Sequence, residues 1–162
     1  MNEKLNELIE IQKQISDQKK ELVKKSGEVF ESWCKDFFEQ NSDEIESFGW
    51  TQYTPYFNDG DTCTFSVDTD YLFINGDYID ECKWIDKTIV KSWGTYNRQL
   101  KVYEGRVEEP NPDYDEKKSE LVKSIKKFLS IFDDDFYLSK FGDHALITVS
   151  KKGFDVDEYE HD

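Results

Sequence analysis

The apolar period of this chain changes once, and that change confines it to a helix followed by a sheet. Up to residue 40 the recurrence is seven: Leu8, Ile15, Leu22 and Val29 fall on one line, with Leu5, Ile11 and Trp33 beside it. Such spacing places an apolar seam along one side of a helix. From Trp50 onward the period is two, in runs rich in aromatic and β-branched residues, which is the pattern of half-buried strands. The helical seam is half of a coiled coil, because Gln18, Lys25 and Ser32 occupy what would be its second line. Two uses of it follow: a helix laid across the sheet of the same domain, or a homodimer formed through that helix. The expected organisation is a long N-terminal helix over 1–40, broken near Gly27, and a single α+β domain over 41–162.

Within 41–162 the turns are readable. Trp50 to Phe57 and Thr62 to Val67 flank Asn58-Asp59-Gly60-Asp61, whose Asp-Gly pair suits a tight hairpin turn. In the second run Cys63, Phe65 and Val67 share a face opposite Thr62, Thr64 and Ser66. Tyr71 to Ile74, the turn Asn75-Gly76-Asp77, and Tyr78 to Ile85 read as a second hairpin, so an antiparallel meander is expected. Leu100 and Val102 point to one more strand in 86–107, and Glu108 to Pro112 to a loop. Asp113 with Glu116 marks a helix start, after which Leu121, Val122, Ile125, Phe128, Leu129 and Phe132 follow at helical spacing. Ala145 to Val149, the turn 151–153 and Phe154 to Asp157 form a closing hairpin. The fold class is therefore α+β: an antiparallel sheet of hairpins packed by a helix from the C-terminal third, with the long N-terminal helix beside it.

Charge narrows the partners. The 162 residues hold 36 Asp and Glu against 21 Lys and Arg, a net charge of −15. An aromatic share of 15% separates the chain from disordered acidic tails. Direct contact with nucleic acid or an anionic membrane is disfavoured, since both are polyanions, and a basic protein is the natural complement. The start Met1-Asn2-Glu3-Lys4-Leu5-Asn6-Glu7 has no basic leader, and no apolar run approaches the ~20 residues of a membrane span, so a cytoplasmic location is expected. Cys34, Cys63 and Cys82 are odd in number and lack C-x-x-C spacing. They read as reduced thiols, and no metal or cofactor is called for.

The acids are not evenly placed. Between Lys35 and Lys83 no basic residue occurs in 47 positions, which hold twelve carboxylates and eleven aromatic residues. If the aromatics fill a sheet's buried face, the acids project as a surface of one sign. That surface is either a solvated face or a docking face for a basic partner, led by Asp59, Asp61, Asp68, Asp70, Asp77, Asp80 and Glu81. A sharper version is mimicry of the DNA backbone, with carboxylates standing for phosphates.

Chemistry has one main candidate. If Glu81-Cys82-Lys83 is a strand, Glu81 and Lys83 share a face. With Asp68 or Asp70 the set resembles the metal-dependent nucleases of the PD-(D/E)xK family, although the Pro-Asp pair is absent. That resemblance implies Asp68, Asp70 and Glu81 as metal ligands and Lys83 as an aid to an attacking water. Asp68-Thr69-Asp70 also has the D-x-D form of metal–sugar nucleotide sites, and reads equally as a turn. Asn58-Asp59-Gly60-Asp61 lacks the twelve-residue spacing of a calcium loop. His144 beside Asp143 is a general base held by a carboxylate, or a structural histidine at a strand start. A third use is a small-ligand sponge employing the aromatic faces of the sheet.

Two strings stand out as strings. The run Trp50-Thr51-Gln52-Tyr53-Thr54-Pro55-Tyr56-Phe57-Asn58-Asp59-Gly60-Asp61-Thr62-Cys63, continuing to Phe65, and the ending from Phe141-Gly142-Asp143-His144 to Tyr159-Glu160-His161-Asp162 resemble those of small acidic proteins, many phage-encoded, that carry no assigned activity. The resemblance implies a phage accessory protein, acting in the host cytoplasm. The expected function is non-enzymatic: binding and modulating or inhibiting a host nucleic-acid-handling or defence protein.

Overall fold

The computed structural model describes residues 2–160, with side chains from Lys4 onward; the His161-Asp162 end of the tail string lies outside the described residues. Helix α1 (Asn2–Asn41) is followed by β1 (Ser47–Tyr53), β2 (Ser66–Val67), β3 (Phe73–Ile74) and β4 (Asp77–Tyr78). A 3-10 turn, Ile79–Glu81, leads to β5 (Thr88–Ser92), β6 (Thr95–Asn97), β7 (Val102–Glu104) and β8 (Val107–Pro110). Helices α2 (Glu116–Leu129) and α3 (Asp134–Phe141) precede the closing strands β9 (Ala145–Ser150) and β10 (Gly153–Glu158). The mixed helix and antiparallel sheet are those expected.

The topology is not a meander. The sheet runs β10-β9-β1-β3-β4, with β2 also pairing β1, so the last hairpin in the chain docks beside the first strand. Strand β9 takes one edge of β1 from Ser47↔Ser150 to Gln52↔Ala145, while β2 and β3 share the other. Partners directly opposite lie on one face, so Phe48 with Val149, Trp50 with Ile147 and Gln52 with Ala145 point together into the core. Gly49 alternates with them, and a Cβ there would stand 2.5 Å from the Ile147 carbonyl oxygen. No other residue fits that close approach of β9.

Helix α1 is continuous through Gly27 and divides by burial instead. From Lys4 to Leu22 every residue is exposed, whereas Phe30, Cys34, Phe37 and Phe38 are buried against the sheet and the later helices. Phe30 lies among the rings of Trp50, Phe128, Phe132, Phe136, Tyr137, Phe141 and Phe154 at 5.0–6.5 Å. Burying one such side chain contributes about 1.5–3 kcal/mol, and tilted or edge-on ring contacts add to it. Helix α2 begins one turn's fraction later than the Asp113 signal: Asp115 is its N-cap, accepting the Lys118 N–H at 3.0 Å. Helix α3 has no counterpart in the sequence reading. Its cap is Asp133, which accepts the Phe136 N–H at 2.9 Å, and it stops at Gly142, whose φ is 85°.

Three strand expectations are corrected. Residues 54–65 form a loop rather than paired strands, since Pro55 removes a ladder donor; the turn survives with Asp59 at φ 43° and Gly60 at φ 93°. The second hairpin does turn at Asn75-Gly76, with φ of 54° and 90°, but its return strand ends at Tyr78 and tightens into the 3-10 turn. Residues 88–110 form a two-part antiparallel ribbon, β5 with β8 and β6 with β7, in place of one strand and a loop. From Lys91 to Pro110 only Asn97 is less than fully exposed, so this ribbon is an arm.

Candidate functional site

The seven acids proposed as a contact face fall in and around β2, β3 and β4, in the loops before and between them and the 3-10 turn after them. Asp59 and Asp61 sit at the tip of the 54–65 loop, where the Asp61 N–H donates to the Asn58 carbonyl at 2.7 Å. Asp68 follows β2; half-buried, it accepts the Tyr71 N–H at 3.2 Å and shapes the turn into β3. Asp70 is exposed, and its backbone carbonyl accepts Lys126 Nζ at 2.7 Å. Asp77 stands in β4, and Asp80 and Glu81 in the 3-10 turn, all three exposed. Among the described residues no cation lies within 4.0 Å of any of these seven carboxylates, although Glu31 meets Lys140 at 2.6 Å, Glu44 meets Lys117 at 2.8 Å and Glu108 meets Arg106 at 2.6 Å. Their field reaches the interior: the Cys82 thiol is pushed up first by burial and then by Asp77 and Glu81.

The nuclease arrangement loses its premise. Glu81 closes a 3-10 turn and Cys82 caps it at φ −76°, so Glu81 and Lys83 do not alternate along a strand. Among the described residues no group of three His, Cys, Asp or Glu side chains is placed to hold a metal ion, so Asp68, Asp70 and Glu81 do not converge. The sheet's aromatic face is likewise closed to a ligand, with Phe48 and Trp50 at 1% and 0% exposure under the helices.

The two strings that stood out in the sequence meet in space. Gln52, fully buried, donates through Nε2 to the carbonyls of Tyr137 and Gly142 and accepts the Trp50 indole N–H at 3.1 Å. Asp143 accepts the Thr54 N–H at 2.8 Å, the Thr54 hydroxyl at 2.7 Å and the His144 N–H at 2.8 Å. Burial pushes the Asp143 carboxyl up, but these hydrogen bonds pull it further down, below its ordinary value. The His144 ring stacks on Tyr56 at 4.8 Å, its carbonyl accepts the Tyr159 N–H at 2.8 Å, and Tyr159 packs on Tyr53 at 5.6 Å. With its carboxylate spent on backbone and hydroxyl donors, the pair ties the 54–65 loop to β9 and β10. The His144 ring also approaches that carboxylate, with Nε2 3.8 Å from Asp143 Oδ2.

Several concavities mark the surface of the described residues. One, about 810 Å³, lies where the arm leaves the body, between Lys83, Ile89, Trp93, Arg106 and Asn111. Another, about 620 Å³, is an apolar groove between α1 and α2, floored by Val29, Trp33, Phe128, Ile131 and Phe132 and rimmed by Lys25 and Lys127. Sequence reasoning missed the groove, whose only signal was Trp33 extending the heptad line toward a second helix. Among the described residues no helix is long and apolar enough to cross a membrane. No protein-family model, no curated protein and no solved structure matches the chain.

Proposed function

We propose that this protein acts without catalysis, by docking the β2–β3–β4 edge onto a basic protein. The observation that supports it is the run of seven carboxylates in and around β2, β3 and β4 with no cation within 4.0 Å of them among the described residues, in a segment of 47 positions that has no basic residue. An acidic edge steers a basic partner over a long range, and of its seven carboxylates Asp68 alone is also used by a turn of its own fold, accepting the Tyr71 N–H at 3.2 Å among the described residues. The string resemblance favours a phage accessory role in the host cytoplasm. A host nucleic-acid-handling or defence protein is then the partner, with the carboxylates occupying its phosphate-binding groove.

The test is retention of basic proteins from bacterial lysate on the immobilised chain at low and high salt. It is run beside a variant carrying Asp68→Asn, Asp70→Asn, Asp77→Asn and Asp80→Asn. A nucleic-acid-binding protein held by the wild type, released by salt, displaced by added duplex DNA and not held by the variant supports the proposal. Equal retention by both proteins, or none by either, rejects it.

A further inference from the structure

The structure leaves a helix of about 28 Å, Lys4 to Leu22, fully exposed with its apolar line intact. Leu8 is 60% exposed, Ile15 43%, Leu22 65% and Val29 62%. Isolated helices of this length are marginal in water, so a line of large aliphatics on one calls for a cover. The same line runs on into the lysine-rimmed groove at Val29 and Trp33, and Leu22 borders Ile131 and Phe132 just beside it. Exposed helix and groove are one continuous apolar surface.

We infer that a second copy of this chain covers it, with the two α1 helices antiparallel about a two-fold axis near Ile15. Three observations choose this occupant and this direction. First, the spacing is self-complementary: Leu8 and Leu22 lie seven residues either side of Ile15, so an antiparallel pair sets Leu8 of each copy against Leu22 of the other, and Leu5 of each at the other's groove mouth. Second, charge matches only in that direction. At 100° per residue Glu7 and Lys25 fall on the same flank of the apolar line, and antiparallel pairing brings each Glu7 toward the other copy's Lys25, which stands on the rim of the groove and already meets Glu21 of its own helix at 2.8 Å. A parallel pair brings opposite flanks together, so each Glu7 meets Leu5 and Gln12 of the other copy and no lysine.

Third, residues 1–29 carry six lysines and six carboxylates, so the whole charge of −15 falls on residues 30–162. Residues 1–29 are thus a long surface along which two copies approach without net repulsion. Antiparallel pairing also points the two acidic bodies toward opposite ends of the paired helices. Parallel pairing sets them side by side. This inference is independent of what the acidic edge binds.

Mass in solution and disulfide trapping test it on the full chain. Sedimentation equilibrium gives twice 19.2 kDa for the wild type and 19.2 kDa for Ile15→Glu with Leu22→Glu; both positions are exposed, so melting of the body stays unchanged. In a Cys63→Ser background, chains with Leu8→Cys mixed with chains with Leu22→Cys form a mixed disulfide on mild oxidation. Leu8→Cys alone does not cross-link. A monomeric wild type at tens of micromolar overturns the inference, and so does cross-linking of Leu8→Cys to itself. Glu7→Lys and Lys25→Glu each shift the dimer toward monomer at low salt, and the double exchange restores it; failure of that restoration removes the assigned direction.

Discussion

Asp143 joins stretches 89 residues apart in sequence by accepting both donors of Thr54. Its folded carboxyl lies below the ordinary value of 3.8, because three hydrogen bonds to the charged form outweigh the burial that raises it. The linkage has one sign. A depressed carboxyl adds stability that is complete above the unfolded value and is lost as pH falls through the folded one. Asp143→Asn should therefore lower the urea midpoint at pH 7 and lower it less at about pH 3, below the unfolded value, where the contribution of the charge is already being lost. An equal loss at both pH values would show that the charge has no part in the clasp. Gln52 makes the neutral counterpart, with its amide spent on Trp50, Tyr137 and Gly142 inside the core. Parity alone marks it in the sequence: it follows Phe48 and Trp50 at a spacing of two, so it must point inward. Nothing local names Thr54 as the partner of Asp143, because that pairing is made by the register of β9 on β1.

At the scale of elements, legibility followed burial. Strand β9 alternates strictly, from buried Ala145, Ile147 and Val149 to half-buried Leu146 and Thr148, and β9 and β10 stand where the sequence puts them. The arm has no buried side from Lys91 to Pro110, so hydrophobic periodicity had nothing to report there. Helix α3 was hidden for a different reason. It spans eight residues, fewer than the pattern needs, and its Asp133-Asp134-Asp135 start reads as loop until the Asp133 cap is seen. The arm hangs on Asn111, whose Nδ2 donates to the carbonyls of Lys83 at 2.6 Å and Asp86 at 2.7 Å while its Oδ1 accepts the Asp113 N–H at 3.0 Å. Asn111→Ala frees all three groups at the neck of the arm, at a cost of about 1–2 kcal/mol. Hydrogen exchange should speed up for amides of β5 to β8 and stay unchanged in β1 and β9. Acceleration across both sets would mean that arm and body unfold as one unit.

The whole molecule sets an aromatic interior against an acidic exterior, and the two pull on stability in opposite directions. Phe30 and Trp50 at 0% exposure bind α1, the sheet, α2 and α3 into one core. Outside, the β2–β3–β4 edge gathers carboxylates with no cation within 4.0 Å of them among the described residues, and Lys126, on the Asp70 carbonyl, is a cation that stands beside it. Screening should then act as a stabiliser. Raising NaCl from about 0.01 M to 0.5 M shortens the Debye length from ~30 Å to a few Å, and the melting temperature should rise by about a few degrees. Asp77→Asn with Asp80→Asn should raise the low-salt melting temperature and flatten its response to NaCl, because neither side chain holds a partner whose loss would offset the relief. A lower melting temperature in this variant would reveal a native contact made by those carboxylates and would remove the ground for reading the edge as a docking face. A gain that coincides with lost partner binding would place the cost of the edge in the free protein and its use in the complex, since a carboxylate that only repels its neighbours acquires a favourable interaction when a basic surface arrives.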